Sequence, residues 1–434
     1  MPLKIAIIGA GPSGFYTADA LLRRSSECLV DIIEALPTPY GLIRGGVAPD
    51  HQSTKLVSRF FAKIAGNARV TYFGNVSVGR DVALDRLRQL YDAVVIAVGA
   101  TEDRPLDVPG ADLPGVHGSG DFVGWYNGHP DYRDLNPDLQ VSSAVIIGNG
   151  NVAIDIARVL AKSEAEMAES DLAAHAAAAI HRAPLEDIYI VGRRGPGDSK
   201  FTNKELSELG ELAQAVPLVD PGQLPEQLTG EMTDHERLLR EKNLATFRDF
   251  AERKPAGALK RVHFLFHAQP LAVSGRARVT GLRLERTRVE AGRALGTGEV
   301  LEIPCGLILS AIGYRMRPFV GLDLDRQSGV LVNQDGRIEQ GLYVVGWARR
   351  GPSGVIGTNK EDGEIAAQAI TAEVTDQGRP GGTGLRQILE EGGARPVSFD
   401  DWLKIDGAEI AAATGKAPRR KFARVQDMLD AMES

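Results

Sequence analysis

Residues 4–22, KIAIIGAGPSGFYTADALL, read as an apolar strand, a glycine turn and a helix. Gly9, Gly11 and Gly14 supply the pattern G-x-G-x-x-G. The first glycine permits the tight turn, the second lets backbone approach a pyrophosphate, and the third lets the helix pack closely on the strand. Pro12 and Ser13 open the helix, whose unpaired N–H groups suit phosphate oxygens. The next apolar run, CLVDIIEA (28–35), ends at Glu34 and Ala35. A carboxylate there accepts the two ribose hydroxyls of an adenine nucleotide. A glycine turn alone is weak evidence, and a glycine-rich loop beside a solvated Glu is the plain rival. The strand before it, the helix after it and the acid in place favour a dinucleotide site.

Residues 142–161, SSAVIIGNGNVAIDIARVLA, repeat the arrangement with Gly148, Gly150 and Ala153 as G-x-G-x-x-A. Asn149, Asn151 and Val152 fall in the turn and the start of its helix. The following strand, LEDIYIVGRR (185–194), is delayed by an alanine-rich stretch, LAAHAAAAI (172–180), and ends at Arg193 and Arg194 rather than at an acid. An acid would repel a 2′-phosphate, whereas guanidiniums present a rigid donor fork that fits it. Two sites of opposite character imply two cofactors: FAD, with its free ribose on Glu34, and NADP(H), held by the arginines. A nicotinamide supplies a hydride, and a flavin accepts it and gives up electrons singly.

The totals fit this reading. A chain of 434 residues is long enough for two domains. The formal charge of -7 argues against a nucleic-acid partner while leaving room for a local basic patch. With two cysteines, Cys28 and Cys305, and no CxxC, a disulfide scaffold, a four-cysteine zinc or iron–sulfur site and a vicinal dithiol redox centre are all disfavoured. No metal site is expected. The chain starts directly on a strand and carries no uncharged apolar run of membrane-spanning length, so a soluble, cytoplasmic protein is the expectation.

The order of segments suggests an interrupted first domain. YDAVVIAVGA (91–100), with Gly99 at its end, and CGLILSAIGYR (305–315) are strands closed by glycine turns, and GLYVVGWARRGPSGVIGTNKEDGEIAAQAI (341–370) is a strand, a loop and a long helix. The expected fold class is α/β: two Rossmann-like dinucleotide-binding domains, each three-layered with a parallel sheet and helices on both faces. Residues 1–103 and 322–434 would form the FAD domain, and 104–321 an inserted NADP domain. Residues 266–306 read as short antiparallel strands attached to the inserted domain, 231–253 as an exposed helix, and the tail as two weaker helical patterns around a basic turn.

At PTPYGLIRGGVAPDHQSTK (37–55) the chain resembles the adrenodoxin-reductase-like ferredoxin–NADP reductases, a branch of the glutathione-reductase-type flavoproteins. The family's proline-rich segment is nearly complete here. Its G-N-G-N-V-A-x-D matches 148–155, its R-R-G-P…F-T-x-K-E-L matches 193–206, and its G-W-x-x-R-G-P-x-G-V-I-G-T-N matches 346–359. The tail pattern W-x-x-I-D…G…P-R-x-K runs from Trp402 to Lys421, with Ala417 where many relatives carry Arg. The resemblance covers essentially the whole chain. It implies an NADPH:ferredoxin oxidoreductase that passes a hydride from NADPH to FAD and then single electrons to a small ferredoxin- or adrenodoxin-like iron–sulfur protein. That acceptor could feed a monooxygenase such as a cytochrome P450. A monomer is expected.

The resemblance also assigns residues. Trp347 is placed near the flavin ring, where its face could cover part of it. Tyr40, Gly41 and Leu42 flank the flavin, Gly45 and Gly46 allow close backbone approach, and Val47 continues that segment; Lys55 is either nearby or simply solvated. Gly354, Val355 and Ile356 would offer backbone N–H groups to the reduced ring, with Gly354 also reaching the nicotinamide, while Thr358 or Asn359 could merely cap the helix. His51 and Asp155 form a polar pair of supporting role, kinetic or structural, and Glu205 sits near the nicotinamide. The family's docking helix is less clear, because Arg237, Arg240 and Lys242 alternate with Glu236 and Glu241. The alternative function is an NADPH-dependent electron-transfer subunit of a larger redox complex, though such subunits normally carry cluster-binding cysteines. A pyridine nucleotide–disulfide reductase needs the cysteine pair this chain lacks.

Overall fold

The computed structural model describes residues 2–255, 257–319 and 321–433. The chain forms two compact units, Met1–Glu102 with Tyr314–Thr414 and Pro418–Ser434, and Asp103–Gly313 with Gly415–Ala417. The expected limit at 321/322 thus differs from the division at 313/314. Packing supplies the reason: Met316 is buried with Leu331, Val344 and Ala348 in a core of the first unit.

The first unit is built on a six-stranded sheet in the order Arg337–Glu339, Leu342–Val344, Ala93–Ile96, Lys4–Ile8, Leu29–Ile33, Val70–Phe73. All neighbours are parallel except the antiparallel pair Arg337–Glu339 and Leu342–Val344. The period-two alternation of a strand sends Ile5, Ile7, Val30 and Ile32 into one core and Ala6, Ile8, Ile33 and Val94 into another. Burial on both faces explains why these strands read as nearly unbroken apolar runs. Helices cover each face. Helix Pro12–Arg24 packs against helix Asn359–Glu373. Gly363 permits this contact: a Cβ there would lie 2.8 Å from the Tyr16 carbonyl carbon.

The second unit has six strands, all parallel, in the order Val116–Gly118, Leu307–Ser310, Ser143–Ile147, Asp187–Val191, Lys260–Leu265, Ala215–Val219. One face carries a helical layer and an aromatic group of Phe201, Phe247, Phe250, Phe264 and Phe266. The other face corrects the expectation of helices on both sides. There the strands Ala268–Gly275, Val279–Glu290 and Arg293–Pro304 form an antiparallel sheet, and Ala268, Val273, Leu282, Leu284 and Ile303 share a core with Val145, Ile147, Val191 and Ile308. The exposed helix runs Asp234–Glu252 and is opened by a capping box between Thr233 and Glu236. Among the described residues no helix is long and apolar enough to cross a membrane.

Candidate functional site

The first glycine turn leaves strand Lys4–Ile8 at Gly9, whose φ of +110° lies outside the range side chains favour. Its N–H donates to the Ile33 carbonyl at 2.8 Å. A Cβ on Gly14 would sit 2.1 Å from the Gly9 carbonyl oxygen, so the helix can approach this closely only at a glycine. A Cβ on Gly11 would meet nothing within 4 Å. The turn is thus tight inside and open outside, as backbone facing a pyrophosphate requires. Glu34 accepts the Ala10 N–H at 2.8 Å and the Leu36 N–H at 3.2 Å. Burial pushes its carboxyl above the usual range, and these amides oppose that shift. A carboxylate has about four acceptor sites, so capacity remains for a ribose.

Two other segments meet this turn. Tyr40 donates its N–H to the Ala10 carbonyl at 2.8 Å, and the position of a Cβ on Gly41 would be 3.0 Å from Gly11 Cα. Tyr40 holds φ +83°, an outlier for a side chain of its size, and its phenol is pushed up to about 12 by burial. On the far side, a Cβ on Gly346 would lie 2.0 Å from Ser13 Oγ, and Ser13 Oγ donates to Asn359 Oδ1 at 2.9 Å. Trp347 follows, half-buried, with its ring stacked on Tyr314 at 6.1 Å and its Nε1–H given to the Ser353 carbonyl. In the next loop the Val355 N–H is taken by Thr358 Oγ1 at 3.1 Å, while the Val355 side chain is 68% exposed. Ile356 packs against the core, and Gly99 keeps a φ of +73° at the end of the neighbouring strand. Leu42 is exposed; Val47 packs on the core and donates its N–H to the Leu42 carbonyl, and Gly45 bonds back to Gly41. Lys55, for which a solvated position was open, is buried.

The second turn repeats the first in detail. Gly148 has φ +151° and donates its N–H to the Val191 carbonyl at 2.9 Å, as Gly9 does to Ile33. A Cβ on Gly150 again meets nothing within 4 Å. Aligning Val191 with Ile33 sets Gly192 where Glu34 stands. A Cβ on Gly192 would be 1.8 Å from the Asn149 amide nitrogen, so Asn149 fills the space an acid would need. Arg193, exposed, and Arg194, half-buried, come next. Arg194 Nε and Asn149 Oδ1 are buried with no hydrogen-bond partner in the structure, polar atoms that a bound ligand can satisfy. Asn151 Oδ1 accepts the Thr202 N–H at 2.8 Å, and Thr202 Oγ1 donates to Glu205 Oε2 at 2.8 Å, which links Glu205 to the turn. Asp155 accepts from the fully buried Arg158 at 2.8 Å. His51 belongs to the first unit, Asp155 and Glu205 to the second.

Residues 3–184 match the family described as pyridine nucleotide-disulphide oxidoreductase. The chain is 41% identical to NADPH:adrenodoxin oxidoreductase of Bos taurus, covering 98% of this chain and 91% of that one. It is 39% identical to the NADPH-ferredoxin reductase FprA of Mycobacterium tuberculosis, over 99% and 98% of the two chains. The solved structure of that FprA in complex with NADPH superimposes over the full length of both chains with a TM-score of 0.94. The chain belongs to the adrenodoxin reductase and FprA-type ferredoxin reductase family. Within that family's broader pyridine nucleotide–disulphide grouping, the disulfide chemistry has no counterpart here. Cys28 and Cys305 are free, buried and in separate units, and burial pushes the Cys305 thiol up to about 12.

The sequence missed one arrangement in this reductase. Arg44, inside the proline-rich segment, pairs with the fully buried Glu409 of the tail, and Glu409 also accepts from Arg419 at 3.3 Å and from the Phe422 N–H at 2.8 Å. Arg44 lies over the Trp402 ring at 5.3 Å, and Tyr40 meets that ring edge-on at 5.9 Å. The Trp402–Lys421 motif was visible in the sequence, but nothing local showed that it closes on Arg44.

Proposed function

We propose that this chain is an NADPH-dependent reductase of a small ferredoxin- or adrenodoxin-type iron–sulfur protein, with FAD on the first unit and NADP(H) on the second. The observation that carries the reading is the contrast between two otherwise matching glycine turns, one closed by Glu34 and the other by Gly192 and two arginines. Gly9, Gly11, Ser13 and Gly14 would receive the FAD pyrophosphate, Glu34 its ribose, and Tyr40–Leu42, Gly45, Val47, Gly99, Trp347 and Gly354–Ile356 the ring. Gly148–Val152 would receive the NADP pyrophosphate, Arg193 and Arg194 the 2′-phosphate, and Glu205 and Gly354 the nicotinamide end. When bound, FAD accepts a hydride and gives up its electrons one at a time, which couples a two-electron donor to a one-electron carrier.

The side chains contribute positioning and electrostatics; hydride transfer needs no side-chain base. Trp347 is fixed by its own hydrogen bond and by Tyr314, so it can flank a ring without reorienting. His51 and Asp155 have supporting roles near the reacting rings. The finer parts of the proposal are a monomer in the cytoplasm and an acceptor that serves a monooxygenase such as a cytochrome P450. Support for the acceptor class comes from the adrenodoxin and ferredoxin named for the relatives. The test is stopped-flow reduction of the purified yellow protein by NADPH and by NADH, followed by titration with ferredoxins. Fast reduction by NADPH and turnover with a ferredoxin are expected. A colourless protein that takes up no flavin, or a preference for NADH, overturns the reading.

A further inference from the structure

The antiparallel sheet of the second unit has no role in the function proposed so far, yet it touches the basic pair at its backbone. Three consecutive carbonyls, those of Gly192, Arg193 and Arg194, each accept a hydrogen bond from this sheet or from His267, the residue just before its first strand. The Gly192 carbonyl accepts the Ala268 N–H at 3.0 Å and the Arg194 carbonyl accepts the His267 N–H at 3.2 Å. The Arg193 carbonyl accepts the Thr287 hydroxyl at 2.8 Å. Thr287 in turn donates its N–H to the His267 carbonyl at 2.9 Å, closing a ring of bonds among the three segments. Special geometry maintains this ring. His267 has φ +52°, uncommon for a side chain, and the pairing of Val279–Glu290 with Arg293–Pro304 shifts register between Glu285 and Thr287. Such a bulge re-aims the residues next to it. Thr287 is 6% exposed, so its hydroxyl works in a place where an unmet polar group is costly.

We infer that Thr287 is a positioning residue for 2′-phosphate recognition: its hydroxyl fixes the backbone from which Arg193 and Arg194 project, and so sets the preference for NADP(H) over NAD(H). The inference rests on the proposed reading of the arginine pair. Of the three donors only Thr287 acts through its side chain, so only this bond can be removed by substitution without altering the main chain. The glycine turn itself is tied elsewhere, through Gly148 to Val191 and Asn149 to Lys200, so a loss at Thr287 falls on the arginines and spares the pyrophosphate end.

The test uses flavin-loaded protein and calorimetric titration with 2′,5′-ADP and with 5′-ADP, which lacks the 2′-phosphate. Thr287→Val keeps the shape and removes the hydroxyl; Thr287→Ser and Thr287→Ala form a second pair that differ only in the hydroxyl. The valine and alanine variants are expected to bind 2′,5′-ADP about fivefold more weakly, the size of one net hydrogen bond, with 5′-ADP affinity unchanged and the serine variant close to wild type. If the valine variant does not fold, the serine and alanine pair decides the question alone. Unchanged 2′,5′-ADP affinity in the alanine variant, or an equal loss for both nucleotides, overturns the inference. Wild-type protein that does not distinguish the two nucleotides overturns the arginine reading beneath it, a failure visible before any variant is made.

Discussion

One position separates the two nucleotide turns: Glu34 in the first unit corresponds to Gly192 in the second. The acid accepts the Ala10 amide of its turn, whereas at Gly192 even a methyl group would press on the Asn149 amide at 1.8 Å. Two variants should therefore fail in different ways. Neutralising the pair, Arg193→Gln with Arg194→Gln, removes charge-assisted bonds worth about 1.5–3 kcal/mol each. NADPH affinity should fall roughly a hundredfold or more, with NADH affinity little changed. Gly192→Ala leaves the guanidiniums in place but displaces Asn149 at the turn, so it should weaken both nucleotides alike. Stopped-flow saturation curves with NADPH and NADH measure both, and a selective loss in Gly192→Ala would contradict the steric account. The sequence exposed the charge reversal through Arg193 and Arg194. The reciprocal role of Asn149 was out of reach, because which side chain fills an emptied position depends on the path of a strand many residues away.

At the level of elements, the tail helix Phe399–Ala411 holds the proline-rich segment in place. Glu409 reaches from it to Arg44, four residues after Tyr40, which bonds the glycine turn. Burial pushes the Glu409 carboxyl up, but Arg44, the Phe422 amide and Arg419 more than offset it, and its pKa lies below the ordinary glutamate value. A carboxyl depressed in the folded state contributes stability above its unfolded pKa, about 4.3, and that contribution is lost as pH falls through the folded value. Flavin should therefore be released on acidification below about pH 4. Glu409→Gln should release it at neutral pH, since breaking a buried pair from one side costs about 3–5 kcal/mol. Free-flavin fluorescence, set against thermal melting of the same samples, follows both effects. Retention of flavin by the glutamine variant at wild-type affinity from pH 7 to 4 would show that the tail does not hold the segment. The motif from Trp402 to Lys421 could be read from the sequence, but its target could not, because the ion pair joins residues 365 positions apart.

For the whole molecule, local signals carried the class of fold. Apolar runs buried on both faces mark parallel strands, and each glycine turn announces the strand before it and the helix after it. Less visible was what covers the second sheet, since an amphipathic antiparallel layer and a helix bury the same apolar face, and only the alternating stretch 266–306 hinted at the outcome. The limit near Tyr314 was harder to place: Gly313 stands at it, but many other glycines end strands in this chain, and it is the packing of Met316 into the core of the first unit that decides the side. Each unit owns its sheet, its cores and its turn. Gly148, Asn149, Gly150, Gly192, Arg193, Arg194, His267 and Thr287 all lie between Asp103 and Gly313, and every hydrogen bond described for the second turn is made among residues of that span. The site for the 2′-phosphate nucleotide should then be complete without flavin. Protein stripped of FAD is expected to bind 2′,5′-ADP within about twofold of the loaded protein, the tolerance for sites that share no partners. Calorimetry on stripped and reconstituted samples measures this. If binding disappears with the flavin and returns with it, the second turn depends on the first unit for its shape, and the independence argued from the two cores fails.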